Sequence, residues 1–347
     1  MVLELSIEVN GSTYEGLEKG AREIVKHVRP DWKDTELTFK TYTDGITNKL
    51  IGVCGENNGD QVLVRVYGNK TELFIDRSAE TRNMQILHKA GCGTELYAIF
   101  KNGLCYEFIK GKPLEYEDIL KEEIWRSIAK KMATMHKIKD NSSEVNVCIS
   151  RLHQFLDIMP DVMTDAEKQK RLNALGFTKE NICKLIDELE NHLKALHCPT
   201  VLCHNDLLLP NIVWNDTKKD SNFIDYEYAA LNYQPVDIAN HFNEFAGAEN
   251  VDYQKYPSKE YQVEWLRCYL AHYNEVSEAS VSDDEIELWY VWVNKCCLPS
   301  HLLWGIWAFL QAEHSSIDFN FLEYGVTRLQ EYQKRKDEVF SLSHSNQ

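Results

Sequence analysis

His204-Asn205-Asp206-Leu207-Leu208-Leu209-Pro210-Asn211, followed downstream by Ile224-Asp225-Tyr226-Glu227, is the stretch on which the reading of this chain turns. An Asp, an Asn shortly after it and a second Asp further on form the residue set that phosphoryl transfer uses. One carboxylate accepts the proton of the attacking hydroxyl, while an amide and a second carboxylate hold magnesium on the phosphates. Magnesium takes oxygen ligands and keeps several waters, so Asn211, Asp225 and the oxygens of ATP suffice to anchor it. The competing reading is a plain turn, because Asn and Asp side chains commonly bond their local backbone. The spacing to Asn211, a strand expected over 222–225 that carries Asp225, and a block of strands upstream favour the first reading.

That upstream block covers roughly the first hundred residues. Glu36 to Tyr42, Lys49 to Cys54 and Gln61 to Tyr67 are short β-type runs, the last alternating Val62, Val64 and Val66 with Leu63, Arg65 and Tyr67. Glu95 to Phe100 and Gly103 to Ile109 flank Lys101-Asn102-Gly103, where Asn-Gly suggests a tight hairpin with positive φ. A helix is expected over Ser78 to Ala90, with Gly91 just past its end. Asp44-Gly45-Ile46-Thr47-Asn48 lies between two of the strands, where a phosphate-covering loop would sit, although a hairpin turn reads equally well and neither Gly-rich phosphate motif is present. Arg65 would supply a cation for the phosphates and Glu80 its orienting partner, as the lysine and glutamate pair does in kinases. Taken singly, each also reads as an ordinary surface charge.

After Gly111-Lys112-Pro113 the pattern becomes helical. Apolar residues recur at Ile119, Leu120, Ile124, Ile128, Met132 and Met135, and again from Ile182 to Leu196. Two short β-like pieces, Ile212 to Trp214 and Asn222 to Asp225, precede further helices, one opened by a Ser282-x-x-Glu285 capping pattern.

Composition narrows the function classes. The 347 residues are 44% hydrophobic, enough for a full core, and 54 acidic against 38 basic residues leave a net charge of -16, which disfavours a nucleic-acid surface. The longest nearly unbroken apolar run, Leu302 to Leu310, falls short of the ~20 residues of a membrane span, and no basic, apolar leader opens the sequence. A cytoplasmic-type protein without stable membrane insertion is expected. The ten cysteines are scattered without a Cys-x-x-Cys pair and read as reduced thiols.

Together these motifs resemble the choline/ethanolamine kinase family, a branch of the protein-kinase-like fold. The resemblance spans about Leu37 to Lys334 and rests on Val64-Arg65-Val66-Tyr67-Gly68, Ile128 to His136, the His-Asn-Asp loop, and Ile224 to Tyr228 leading to Asp237-Ile238-Ala239-Asn240-His241-Phe242. It is nearest the ethanolamine-kinase branch, by Thr71-Glu72-Leu73, Asn102 to Glu107, Asn240 to Gly247 and Ser315 to Phe319. One departure matters: choline kinases usually carry Gln two places after the catalytic Asp, where Leu208 stands here, as it tends to in ethanolamine kinases.

The resemblance implies an α+β, bilobal fold: an N-terminal nucleotide-binding lobe over 1–110, with an antiparallel sheet and one helix, a hinge near 107–113, and a larger, mainly helical lobe over 111–347. It implies ATP-dependent phosphorylation of ethanolamine, the first step toward phosphatidylethanolamine, with ATP and Mg2+ as cofactors. By motif, Asp206 is the base, Asn211 and Asp225 are the metal ligands, and Asp44, Gly45, Thr47, Asn48, Arg65 and Glu80 face the nucleotide. Glu107, Phe108 and Ile109 would meet adenine, and His204 and Asp237 would support the catalytic loop. Tyr228, Glu244, Trp304, Trp307 and Tyr324 would receive the ammonium group, by cation–π contact and charge. A choline or dual-specificity kinase, another small-molecule kinase of the same fold, and a non-catalytic nucleotide-binding scaffold are the rivals. Oligomeric state stays open.

Overall fold

The computed structural model describes residues 2–42, 49–55, 60–68, 75–139, 146–315 and 317–344, and these group into two compact units. The first comprises Met1–Lys112 together with Asn222–Glu227, and the second holds the remainder.

The first unit is built on a six-stranded sheet of β1 (Leu3–Leu5), β2 (Leu37–Tyr42), β3 (Lys49–Gly55), β4 (Gln61–Val66), β5 (Leu96–Phe100) and β6 (Gly103–Glu107), in the order β1-β5-β6-β4-β3-β2. Five strands pair antiparallel as the resemblance implies, but β1 adds a parallel edge, Leu3 opposite Ala98. Helix α1 (Tyr14–Val28) also goes beyond the strands expected here. Its Leu17, Ala21, Ile24 and Val25 form an apolar stripe that packs on Val53, Val62 and Val64, and the Thr13 hydroxyl caps it by accepting from the Gly16 N–H. Helix α2 (Arg77–Lys89) starts one residue earlier than expected, because Asp76 caps both Ser78 and Ala79 N–H groups. At the β5–β6 hairpin neither Asn102 nor Gly103 takes the positive φ that the dipeptide suggests. Asn102 instead bonds both the N–H and the carbonyl of Val9, and Gly103 is required because a Cβ there would lie 2.0 Å from the Arg65 carbonyl.

Beyond β7 (Lys112–Pro113) come α3 (Tyr116–Ile119), α4 (Glu122–His136), α5 (Cys148–Ile158), α6 (Ala166–Ala174) and α7 (Lys179–Leu196). The helix expected from Ile119 starts only at Glu122, and Leu120 is 54% exposed in the link rather than part of an apolar stripe. Then follow β8 (Thr200–Cys203), β9 (Ile212–Asn215), β10 (Asp220–Phe223) and β11 (Ala230–Tyr233), and after them α8 (Gln234–Asn243), α9 (Lys259–Asn274), α10 (Asp283–Lys295), α11 (Cys297–His314) and α12 (Phe321–Ser341). Strands β8 and β11 pair antiparallel, Cys203 opposite Ala230, and so brace the loop that starts at His204.

Helix α11 is buried over nearly its whole length, as an all-round apolar helix must be. It lies close against α12 because Gly305 and Gly325 face each other: a Cβ on Gly325 would stand 2.9 Å from the Gly305 carbonyl and 2.7 Å from the Phe309 ring. Helix α11 carries Trp304 and Trp307, and α12 carries Tyr324 and Arg328. All ten cysteines are free thiols, and among the described residues no helix is long and apolar enough to cross a membrane.

Candidate active site

In the second unit the loop from His204 to Asn211 is pinned at almost every residue. The Asp237 carboxylate, fully buried in the first turn of α8, accepts the N–H of His204 at 2.8 Å and of Asn205 at 2.7 Å. Asn205 sits at φ +66, a left-handed turn that Asn tolerates, and its amide is fully used: Nδ2 donates to the Tyr228 and Ala230 carbonyls and Oδ1 accepts from Asn232. His204 Nδ1 accepts from the Asp206 N–H, and Asn211 Nδ2 donates to the Asp206 carbonyl at 2.9 Å. His241 adds an anchor from α8: its Nδ1–H donates to the Leu207 carbonyl at 3.1 Å. Asp206 is thus held by backbone on both sides while its side chain stays half-buried.

Behind Asp237 runs a polar relay. Gln234 donates to the Tyr269 hydroxyl, which donates to His136 Nδ1, and His136 Nε2–H donates to Asp237 Oδ2 at 2.9 Å. This direction is assigned from the network, since Gln234 has only N–H to offer at that contact and Asp237 can only accept. Burial alone would raise the Asp237 carboxyl, but the hydrogen bond from His136 and the His204 contacts outweigh it and leave the group below the usual carboxylate range. His136, Cys203 and Asp237 lie near enough to share a metal ion. However, His136 and Asp237 already spend their polar atoms on each other, on Tyr269 and on the loop.

In the first unit, Arg65 on β4 and Glu80 on α2, both buried, form a direct ion pair, and Arg65 also donates to Asp225 at 3.2 Å. Arg77, absent from the sequence expectation, joins them: it bonds Glu80 at 2.9 Å and Glu227 at 3.4 Å while stacking on Tyr67 at 3.9 Å. Asp225 does not lie on a strand as expected. β10 ends at Phe223, and Asp225 follows in a left-handed turn at φ +64, steadied by Tyr226, whose hydroxyl bonds the Cys92 and Phe223 carbonyls. Burial first, then the Glu227 carboxylate, push Asp225 up to about 6 against the pull of both arginines. Water reaching the 36% of its side chain still exposed offsets part of that burial.

The second unit also holds an aromatic cluster. Trp304 packs edge-on against Tyr228 at 5.2 Å and against Trp307 at 5.7 Å, and Phe319 and Phe321 link Trp307 toward Tyr324. Glu244 lies in the short helical turn after α8, 8% exposed, and is not the lone negative charge that its sequence position suggests. Arg328 Nη1 donates to its Oε1 at 2.6 Å and Nη2 to the Ser300 hydroxyl at 2.8 Å. Arg328 and Phe319 both escape the sequence reading. The available signals were Arg328 four places after Tyr324, hence on one helix face, and Phe319 within a stretch already singled out for its resemblance.

Glu107, Phe108 and Ile109 follow one another at and just past the end of β6, all half-buried, with Phe108 against Tyr42 at 6.1 Å. Asp44, Gly45, Thr47 and Asn48 lie outside the described residues, as does Thr71-Glu72-Leu73.

Similarity to known proteins agrees across sequence and structure. The family model for choline/ethanolamine kinases matches residues 39–333. Ethanolamine kinase 1 of Homo sapiens is 40% identical, the match covering 98% of this chain and 76% of that protein. Among solved structures, an ethanolamine kinase of Plasmodium vivax superposes with a TM-score of 0.80 at 30% identity, covering 92% of this chain and 89% of that one. A choline kinase of Cryptosporidium parvum follows with a TM-score of 0.74 at 25% identity, covering 93% and 96%.

Proposed function

Because the chain belongs to the choline/ethanolamine kinase family, we propose that Asp206 takes the proton of an amino alcohol's hydroxyl as the terminal phosphoryl group of ATP is transferred to it. The protein is an ethanolamine kinase of the protein-kinase-like fold, with phosphoethanolamine as its product. The observation that carries the role of Asp206 is its loop: Asp237, His241 and Asn211 fix the backbone around it from three directions. A pre-positioned base adds catalysis without reorganisation at the moment of reaction.

Asn211 and Asp225 are the proposed magnesium ligands, each offering the hard oxygen donor that this ion takes. Asn211 uses its Nδ2 on Asp206, which leaves its oxygen as the ligand end of the amide. Asp225 belongs to a cluster of three carboxylates, Glu80, Asp225 and Glu227, facing two guanidinium groups, Arg65 and Arg77, so one negative charge is in excess. When bound, the ion supplies charge neutralisation on the phosphates. Arg65, oriented by Glu80, is the protein's own phosphate-facing cation. Tyr228, Trp304, Trp307 and Tyr324 present ring faces and edges to the ammonium end, and Glu244 presents a carboxylate.

The test is kcat/KM for ethanolamine and choline with magnesium ATP. Ethanolamine is expected to exceed choline by about tenfold or more, a discrimination that a site hydrogen-bonding the ammonium can supply. Preference for choline would overturn the substrate, and turnover of neither would overturn the kinase. Asp206→Asn should lower kcat by about a hundredfold or more with ATP binding retained; normal turnover would remove Asp206 from the base role.

A further inference from the structure

Arg328 is 1% exposed, and its contacts reach further than one ion pair. Nη1 donates to Glu244 and, at 3.3 Å, to the Tyr324 hydroxyl; Nη2 donates to Ser300. The Ser300 hydroxyl donates to Asn240 Oδ1 at 2.8 Å, and the same oxygen accepts the Trp304 indole N–H at 2.9 Å. A continuous chain of hydrogen bonds therefore joins the carboxylate and the tryptophan that are proposed to face the amino alcohol. From it we infer that Arg328 is a positioning residue of the substrate site: it fixes Glu244 by one oxygen, presents the other to the ammonium, and ties that carboxylate to the Trp304 ring.

Stability is a poor explanation for such a residue. A buried ion pair is often no better for folding than apolar side chains of the same volume, and here the Arg328 Nε is buried without a hydrogen-bond partner among the described residues. The arrangement is costly for the core and useful for recognition. Arg328 is the one hydrogen-bond partner of the Glu244 carboxylate among the described residues, so the second oxygen stays available as an acceptor. The two opposite charges largely cancel at a distance, so the pair offers less long-range pull on a cation than a lone carboxylate. What remains is a short-range, directed acceptor, which a primary ammonium satisfies by donating N–H and a quaternary ammonium cannot. Arg328 thereby turns a general negative charge into a selective one.

This inference rests on the amino-alcohol reading of the pocket, and its test is read only against wild-type protein that turns over ethanolamine. An inactive wild type would fail that reading itself. In full-length protein, Arg328→Met should raise the ethanolamine KM by about tenfold, more than it lowers kcat, with the ATP KM held within about twofold. Arg328→Lys keeps the charge but loses the fork to Ser300, and should recover part of that loss. If Arg328 acts through Glu244, Arg328→Met added to Glu244→Gln should raise the ethanolamine KM by no more than about twofold over Glu244→Gln alone. Full additivity, or an unchanged ethanolamine KM in folded Arg328→Met, overturns the inference. Should Arg328→Met not fold, Ser300→Ala removes a link of the chain without uncovering a charge. An ethanolamine KM raised about threefold then supports the role, and an unchanged one overturns it.

Discussion

Asp237 accepts the backbone N–H of Asn205 at 2.7 Å across 32 positions of sequence, and so determines where the residue before Asp206 can lie. Asp237→Asn turns one of its two accepting oxygens into a donor that faces either a backbone N–H or His136. A lost hydrogen bond to a charged group costs about 1.5–3 kcal/mol, and a donor left facing a donor adds to it. We expect urea denaturation to show a loss of about 3 kcal/mol. The kcat should fall by about tenfold or more while the ATP KM changes little, because Asp206 loses its backbone anchor but the nucleotide contacts do not. A folded variant with undiminished kcat would show that the loop is placed by its other bonds.

His241 makes the fold sensitive to acid. It is buried, and since the Leu207 carbonyl only accepts, the ring proton is on Nδ1 and Nε2 is left bare, with no partner among the described residues. Burial, against the opposing pull of the Leu207 bond, lowers its pKa from 6.5 to about 4. Below the unfolded value, the unfolded chain takes up a proton that the folded chain refuses. The contribution is therefore neutral above pH 6.5 and becomes destabilising as pH falls toward 4. Between pH 7 and pH 5 this one group should cost about 2 kcal/mol. His241→Asn keeps a donor near the Nδ1 position and removes the titration, so its urea midpoint should fall less over that interval. Parallel pH dependence in the two proteins would assign the acid limb to other groups.

Sequence carries the parts of this molecule that chemistry restricts to particular residue types at short spacings. The run from His204 to Asn211 and the acid at Asp237 are of that kind, since few side chains can do their work. Backbone conformation was harder to read: Asp225 continues a β-like run in sequence, yet it turns left-handed at φ +64, next to Tyr226, whose hydroxyl reaches the Cys92 and Phe223 carbonyls. Asn102 misled in the opposite direction, being chosen for its two bonds to Val9 and not for a turn conformation. Arg77 and Arg328 left only weak local signals, Arg77 three places before Glu80 and Arg328 four after Tyr324. Their partners Glu227 and Glu244 lie 150 and 84 positions away, and an isolated helical arginine looks the same whether solvated or buried. Helix α1 had its apolar stripe in plain view, but stood in a region where strand alternation was the stronger signal.

Glu80 should matter to ATP more than to the amino alcohol. Its two oxygens go to two different arginines, Arg65 and Arg77, and its side chain is 1% exposed. Glu80→Gln keeps the volume but puts a neutral amide between buried Arg65 and half-buried Arg77, which keep only their longer contacts to Asp225 and Glu227. Removing one partner of a buried pair typically costs about 3–5 kcal/mol. The accompanying kinetic sign should be a rise of about tenfold in the ATP KM with the ethanolamine KM within about threefold, since Arg65 loses its orienting contact. An unchanged ATP KM in folded protein would return the cluster to a purely structural role.

On the proposed reading, Glu244 should separate the two amino alcohols most sharply. The aromatic cluster of Tyr228, Trp304 and Trp307 offers rings to any ammonium, with or without N–H, because cation–π attraction depends on charge and fit. The carboxylate should make the difference, since only a primary ammonium can donate to its open oxygen. Glu244→Gln removes the charge that makes this bond strong and leaves Arg328 buried without its anion. Both substrates lose the electrostatic component, but ethanolamine also loses its charge-assisted bond, an interaction of about 1.5–3 kcal/mol. We therefore expect kcat/KM for ethanolamine to fall by about tenfold more than that for choline, narrowing the preference without abolishing the choline reaction. If both fell in proportion, Glu244 would contribute charge and shape alone, and discrimination would have to come from the size of the aromatic cage.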